Sequence, residues 1–390
     1  MTSPVLFFSP QIMLWLACPS GPDEEFRRML RLPQAGIAAS FPRSRHAERS
    51  EASKGKLRPE SKFVNLPGLF VRLGVTGWTA SAVALAVFSS VVARPLSLQG
   101  ADYSEPAPLA SASLLLDVTR AGSDLVAVGD RGHVLLSDDD GRTWKQVLVP
   151  TRAMLTGVSF GDAAHGWAVG HDGVILATSD GGRTWVRQDS GADLETVWLD
   201  VFFSSDRIGL AAGAYGKCQL TTDGGKTWQA SPIVEEAHLN QIVPTATDRL
   251  YLAGEMGTLL TSTDARTGWE KVDVPYDGSL YGALPLDGKR LLVYGLRGTV
   301  YFSENAGKTW GQRETGVPVL LMAGLRLKSG VIVLAGIGGN FYLSRDDGVT
   351  FAHWQPEAYT GGVSALLEAN DGALVVAGEK GVARLQLPLK

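Results

Sequence analysis

The stretch Gly170-His171-Asp172-Gly173-Val174-Ile175-Leu176-Ala177-Thr178-Ser179-Asp180-Gly181-Gly182-Arg183-Thr184-Trp185 holds the two signals that decide the fold. It opens on a G-x-x-G turn, continues through a short apolar run, and closes on a polar turn that ends in Trp. The first of these signals recurs at Gly129, Gly170, Gly213, Gly254, Gly295, Gly336 and Gly378, a period of 41 to 43 residues. A fixed period of this size means stacked supersecondary units. Each unit reads as a few short apolar runs separated by Gly-rich turns, as in Leu155–Phe160, Gly166–Val169 and Val174–Thr178. None exceeds strand length, alternation shows in Val174–Thr178 and Val331–Leu334, and no helix-length amphipathic stretch lies between units. Four strands in each of seven units predict an all-β, seven-bladed β-propeller of four-stranded antiparallel blades.

The second signal recurs six times. The copies are Ser137-x-Asp139-x-Gly141-x-Thr143-Trp144, Thr178-x-Asp180-x-Gly182-x-Thr184-Trp185, Thr221-x-Asp223-x-Gly225-x-Thr227-Trp228, Ser303-x-Asn305-x-Gly307-x-Thr309-Trp310 and Ser344-x-Asp346-x-Gly348-x-Thr350-Phe351, with a divergent copy from Ser262 through Asp264 to Trp269. The chemistry is that of a hairpin turn. The Asp or Asn accepts bonds from its own loop, Gly adopts a conformation denied to side chains, hydroxyls satisfy further loop groups, and the aromatic ring buries against the next sheet. The pattern resembles the Asp-box, or BNR, repeat. Because it occurs in nearly every unit, its carboxylates read as turn closures rather than as acids or metal ligands. Asp138-Asp139-Asp140-Gly141 lacks the distal Glu of a calcium loop. The fourth box, with Arg266 in place of Gly, is expected to be the loosest.

Blade seven (Val363–Leu387) lacks a box and a fourth strand. Residues 101–111 are expected to supply that strand and close the ring within the 101–390 propeller. Boxes join the third and fourth strands, and G-x-x-G turns join the second and third, so the two lie on opposite faces. The G-x-x-G face, with its blade links, is the expected binding surface. Arg131, Arg152, His171, Tyr215, His238, Tyr281 and Arg297 are its candidate partner contacts, a mixture of charge and aromatic area that suits a protein or peptide.

Bulk composition narrows the classes. The chain has 390 residues, 45% hydrophobic and 19% charged, with a net charge of −4 and 46 glycines. No basic stripe of a nucleic-acid binder appears in the repeats. Cys18 and Cys218 are the only cysteines, which excludes a disulfide scaffold and a Cys-based zinc site. No metal or cofactor motif is present. Residues 1–72 read as a disordered leader, or as upstream sequence translated from too early a start, with Val71 or Val75 as alternative starts. Leu73–Ala93 reads as a cleaved signal peptide ending in Val91-x-Ala93, with a membrane anchor as the alternative. Either sends the repeats across a membrane, into the periplasm or anchored facing it.

Asp-box propellers include sialidases, which implies an Arg triad, a Tyr–Glu pair and an Arg-Ile-Pro-type motif. The near match is Arg31-Leu32-Pro33, far upstream of the repeats. Glu235 and Glu236 are adjacent, so on a strand they would point to opposite faces. A sialidase-like glycoside hydrolase or a glycan-binding propeller is therefore the alternative reading. Over Leu114–Leu387 the chain resembles the photosystem II stability/assembly factor family. Thr151-Arg152-Ala153-Met154-Leu155-Thr156-Gly157-Val158-Ser159-Phe160 and His165-Gly166-Trp167-Ala168-Val169-Gly170 carry the likeness. The resemblance implies a non-catalytic protein that aids assembly or stability of a membrane complex of the envelope or thylakoid type.

Overall fold

The computed structural model describes residues 102–388 apart from 232, 234, 247, 248 and 267. The leader and the apolar run Leu73–Ala93 lie outside those residues. Within them the chain forms seven antiparallel sheets, six of four strands and one of three. Blade one shows the plan: inner strand Leu115–Ala121, then Asp124–Gly129, Val134–Ser137 and the outer strand Lys145–Val147. The inner strands of blades two to seven are Leu155–Phe160, Trp198–Phe203, Leu239–Pro244, Leu280–Pro285, Leu321–Arg326 and Val363–Glu368.

The second strand of every blade is buried along its length, as Asp124–Gly129 and Leu291–Gly295 illustrate. Sandwiched between two other blades, such a strand must be apolar on both faces. The core is accordingly a set of seams. One cluster joins blades one and two through Val126, Val128, Val158, Leu176 and Trp185. The same arrangement closes the circle, where Leu115, Leu125 and Leu135 of blade one pack on Ala373, Val375 and Ala377 of blade seven.

Among the described residues, 102–111 add no fourth strand to blade seven. Blade seven has three strands, Val363–Glu368, Leu374–Gly378 and Gly381–Leu385, and Ala110–Ala112 is a 3-10 turn. The reason lies in blade one. Ser104 N donates to Val149 O (2.9 Å), Val149 N donates to Ser104 Oγ (3.0 Å), and Ala107 N donates to Gln146 Oε1 (2.7 Å). This stretch therefore lines the outer edge of blade one. Its end reaches blade seven, where Ala110 joins the apolar cluster with Val375 and Ala377 and the Ser111 carbonyl abuts Gly381. The final Gly of other turns abuts a link carbonyl in the same way, Gly132 against Thr151 and Gly257 against Tyr276. Ser111 thus stands in for a blade link.

All seven inner strands carry a β-bulge near the start, between Leu115 and Asp117 in blade one. A bulge re-aims side chains, and here it turns Leu116, Thr156, Leu199, Asn240, Tyr281, Met322 and Ser364 onto an axial channel.

Candidate functional site

The boxes close turns. Asp180 Oδ1 accepts from Arg183 N (3.0 Å), Thr184 N (2.8 Å) and Thr178 Oγ1 (2.8 Å), while Oδ2 accepts from Thr184 Oγ1 (2.6 Å). Asp139 repeats the pattern, and Asn305 copies it with an amide that donates to Thr309 Oγ1. Bonds from the N–H and hydroxyl of Thr227 hold Asp223 down at about 2. Trp144 and Trp185 donate their indole N–H to the carbonyls of Gly141 and Gly182. In the fourth box Asp264 is instead bound by the backbone and guanidinium of Arg266. Beside these turns, between blades two and three, opens a cleft of about 510 Å³ lined in part by Thr184, Val186, Gln188, Asp223 and Lys226.

On the opposite face the G-x-x-G turns of blades one, three, five and six are single 3-10 turns, and in blades one to six the second variable residue is left-handed. The φ values are 53° for Arg131, 57° for Asp172, 55° for Tyr215, 52° for Met256 and 58° for Arg297. Blade six has Gly338 at that place (φ 68°). Side chains of larger residues are strained there, and all five are exposed. In five of the seven blades the turn therefore thrusts one side chain into solvent.

The candidate contacts separate into groups. Arg131 is exposed on this face, 3.5 Å from Asp130, and Arg297 is exposed on it too. Tyr215 stands edge-on to His238 with ring centroids 4.8 Å apart. His238 is largely buried, its Nδ1 3.8 Å from Glu255 Oε1. His171 is half-buried, which pushes its pKa down, and its Nε2 has no partner. Arg152 is engaged by the chain itself, in ion pairs to Asp102 and Glu105 (2.9 Å each) and a bond to Tyr103 O. Tyr281 sits at a bulge on the channel rather than in a blade link.

The channel holds what the sequence reading missed. Asp117 and Asp200 occupy matching positions in blades one and three. Asp117 accepts N–H bonds from Val118 (2.8 Å) and Val158 (2.8 Å). Asp200 accepts them from Val201 (2.7 Å) and Ile242 (2.7 Å). Each carboxylate thereby staples its blade to the next. Burial raises Asp117 to about 6, and burial plus the Asp117 charge raises Asp200 to about 8. The cavity, about 220 Å³, is lined by no Lys, Arg or His among the described residues. The available signal was an Asp inside an apolar run, Leu114-Leu115-Leu116-Asp117-Val118 and Trp198-Leu199-Asp200-Val201. Among the described residues no group of three or more His, Cys, Asp or Glu could hold a metal ion.

A family model described as "Photosynthesis system II assembly factor YCF48" matches residues 137–196 and 186–363. No curated protein sequence matches the chain. A structure described as "YCF48 bound to D1 peptide" is similar at 21% identity and TM-score 0.61, over 71% of this chain and 95% of that one. "YCF48 from Cyanidioschyzon merolae" is similar at 18% identity and TM-score 0.60, over 71% and 96%. The "WD40 beta propeller domain of Doa1" gives 14% identity and TM-score 0.55, over 73% and 95%. At these identities the structural likeness speaks for the fold.

Proposed function

The chain belongs to the photosynthesis system II assembly factor YCF48 family, and we propose that it is a non-catalytic propeller that binds a protein partner and aids assembly or stability of a membrane protein complex. The observation that carries the reading is the ring of exposed side chains held at left-handed positions on the G-x-x-G face. Local strain kept at an exposed position is a pointer to function. The structure whose partner is a D1 peptide makes a photosystem-type membrane subunit the proposed client.

Surface recognition suits the chemistry better than turnover. The box carboxylates are saturated by their own loops. Arg131, Arg152 and Arg297 lie on turns and a blade link, and none of them lines the axial channel where a sialidase-type triad would gather. Turnover of a fluorogenic sialoside by the purified chain would overturn the non-catalytic reading. Export rests on the apolar run Leu73–Ala93 and its small-residue end. A natural N-terminus at or near Arg94 would support a cleaved signal, and an intact Leu73–Ala93 an anchor. No helix among the described residues is long and apolar enough to cross a membrane.

The test of binding is reversal of both exposed arginines, Arg131→Glu with Arg297→Glu. Loss of partner co-purification from native membranes, with an unchanged melting temperature, is expected. Unchanged co-purification would direct attention to the box face.

A further inference from the structure

The G-x-x-G face is not uniform. Over blades two to four it exposes three large apolar side chains, Leu194 (75% exposed), Tyr215 (52%) and Met256 (64%). They follow one another around the rim. Leu194 adjoins Asp193, which pairs with Lys217 two residues beyond Tyr215. The Tyr215 ring meets His238, whose carbonyl accepts the backbone N–H of Glu255, the neighbour of Met256.

The charge in this sector is negative. Asp172, Glu195, Glu236 and Asp277 are exposed and Glu235 is half-buried, whereas Lys217 is drawn onto Asp193 and Thr196 and Arg187 donates to the Asp172 carbonyl. The exposed arginines of the other turns, Arg131 and Arg297, belong to blades one and five. An apolar patch rimmed by like charge marks an interaction surface, and the rim selects the partner's sign. Tyr and Met are the residue types enriched at such surfaces.

We infer that the sector over blades two to four docks a protein segment that alternates apolar and basic side chains, the apolar ones meeting Leu194, Tyr215 and Met256 and the basic ones meeting Glu195, Glu235 and Glu236. This rests on the reading of the G-x-x-G face as the binding face and adds the partner's chemistry. A membrane surface is the wrong occupant, because anionic headgroups would be repelled by the same carboxylates. The left-handed backbone at Met256 gives the inference a sharp handle. Glycine suits that conformation better, so Met256→Gly removes the contact without harming the fold.

The experiment uses the full chain and three labelled nine-residue peptides, alternating Leu with Lys, Leu with Glu, and Ser with Lys, read by fluorescence anisotropy at two salt concentrations. The Leu/Lys peptide is expected to bind at least tenfold tighter than either counterpart and to weaken in high salt. Met256→Gly and Glu236→Lys should each weaken it tenfold or more. Met256→Gly should leave the melting temperature unchanged or higher. Preference for the Leu/Glu peptide, lost only in the double arginine variant, would overturn the inference and leave the binding face standing. Equal binding of Leu/Lys and Ser/Lys would overturn it as charge attraction alone. Preferential binding of the chain to anionic vesicles would overturn it as well. If native partner co-purification survives both sets of substitutions, the binding-face reading itself falls.

Discussion

Asp180 and Asp200 lie in neighbouring blades, and their surroundings drive them in opposite directions. Partial burial pushes the Asp180 carboxyl up, but the hydroxyls of Thr184 and Thr178 and the N–H groups of Thr184 and Arg183 outweigh it, and its pKa falls. At Asp200 burial dominates two N–H bonds, and Asp117 adds a like charge. The consequences for stability have opposite sign. A depressed box aspartate such as Asp346, held at about 2 by the Thr350 hydroxyl and N–H, contributes stability above the unfolded value of 3.8, lost as pH falls toward 2. The channel pair contributes most at low pH, and its contribution is lost as pH rises from 3.8 through about 6 and about 8. Melting temperature should therefore decline between roughly pH 4 and 8. Asp200→Asn should raise it at pH 8 and flatten the slope, as differential scanning fluorimetry across a pH series would show. A slope unchanged by both Asp200→Asn and Asp117→Asn would refute the assignment. At the boxes, Asp180→Ala should cost about 1 kcal/mol in denaturant titrations. Asp180→Asn should cost far less, since Asn305 makes equivalent bonds.

At the scale of the element, the G-x-x-G turn is the sharpest constraint. Gly216 combines φ 67° with a backbone carbonyl, that of Glu235, standing where a Cβ would go. Gly216→Ala is expected to destabilise by about 2 kcal/mol or more, read as a lower denaturation midpoint. Its second variable position tolerates side chains only at the cost of strain, and that position is where the exposed ring arises. The N-terminal segment is a second element with a definite task. Ser104 is buried and exchanges two bonds with Val149. Ser104→Ala should cost about 1 kcal/mol, and removing residues 102–112 should lower the melting temperature much further, because Arg152 and Gly381 lose their partners together. An unchanged melting temperature would show that the segment takes no part in closure.

For the whole molecule the question is how a ring with an incomplete last blade stays shut. The seam between blades seven and one repeats the device of an internal seam. In the latter, Arg326 bonds Leu286 O (2.7 Å) and pairs with Asp347 (2.9 Å), which also pairs with Arg290 (3.2 Å). At the closing seam Arg120 bonds Glu368 O (3.0 Å) and pairs with Asp140 (3.1 Å). Asp140 also accepts from Asn370 N (2.7 Å) and lies 3.8 Å from Arg384, which pairs with Asp371. Lateral packing with this polar latch closes the circle without a shared sheet. Asp140→Ala should cost about 2 kcal/mol, because Arg120 and Arg384 would be left half-buried without their common partner. Equilibrium denaturation should show the loss, and high salt should shrink it in part.

Repeat period, blade number, turn positions and the structural role of the boxes were legible in the chain because each is settled within about one unit by short-range chemistry: Gly at positive φ, Asp bonding its own loop, apolar runs of strand length. The two faces followed from strand alternation. Three things depended on residues far apart in sequence and were decided only by the closed ring. Residues 102–107 bond to blade one rather than extend blade seven. Arg152, a plausible partner contact by position, is neutralised by Asp102 and Glu105. The bulged inner strands carry Tyr281 onto the axis and bring Asp117 and Asp200 into one channel. A bulge leaves no mark in the alternation of so short a strand, and the electrostatics of two carboxylates depend on what surrounds them, which the sequence alone does not place.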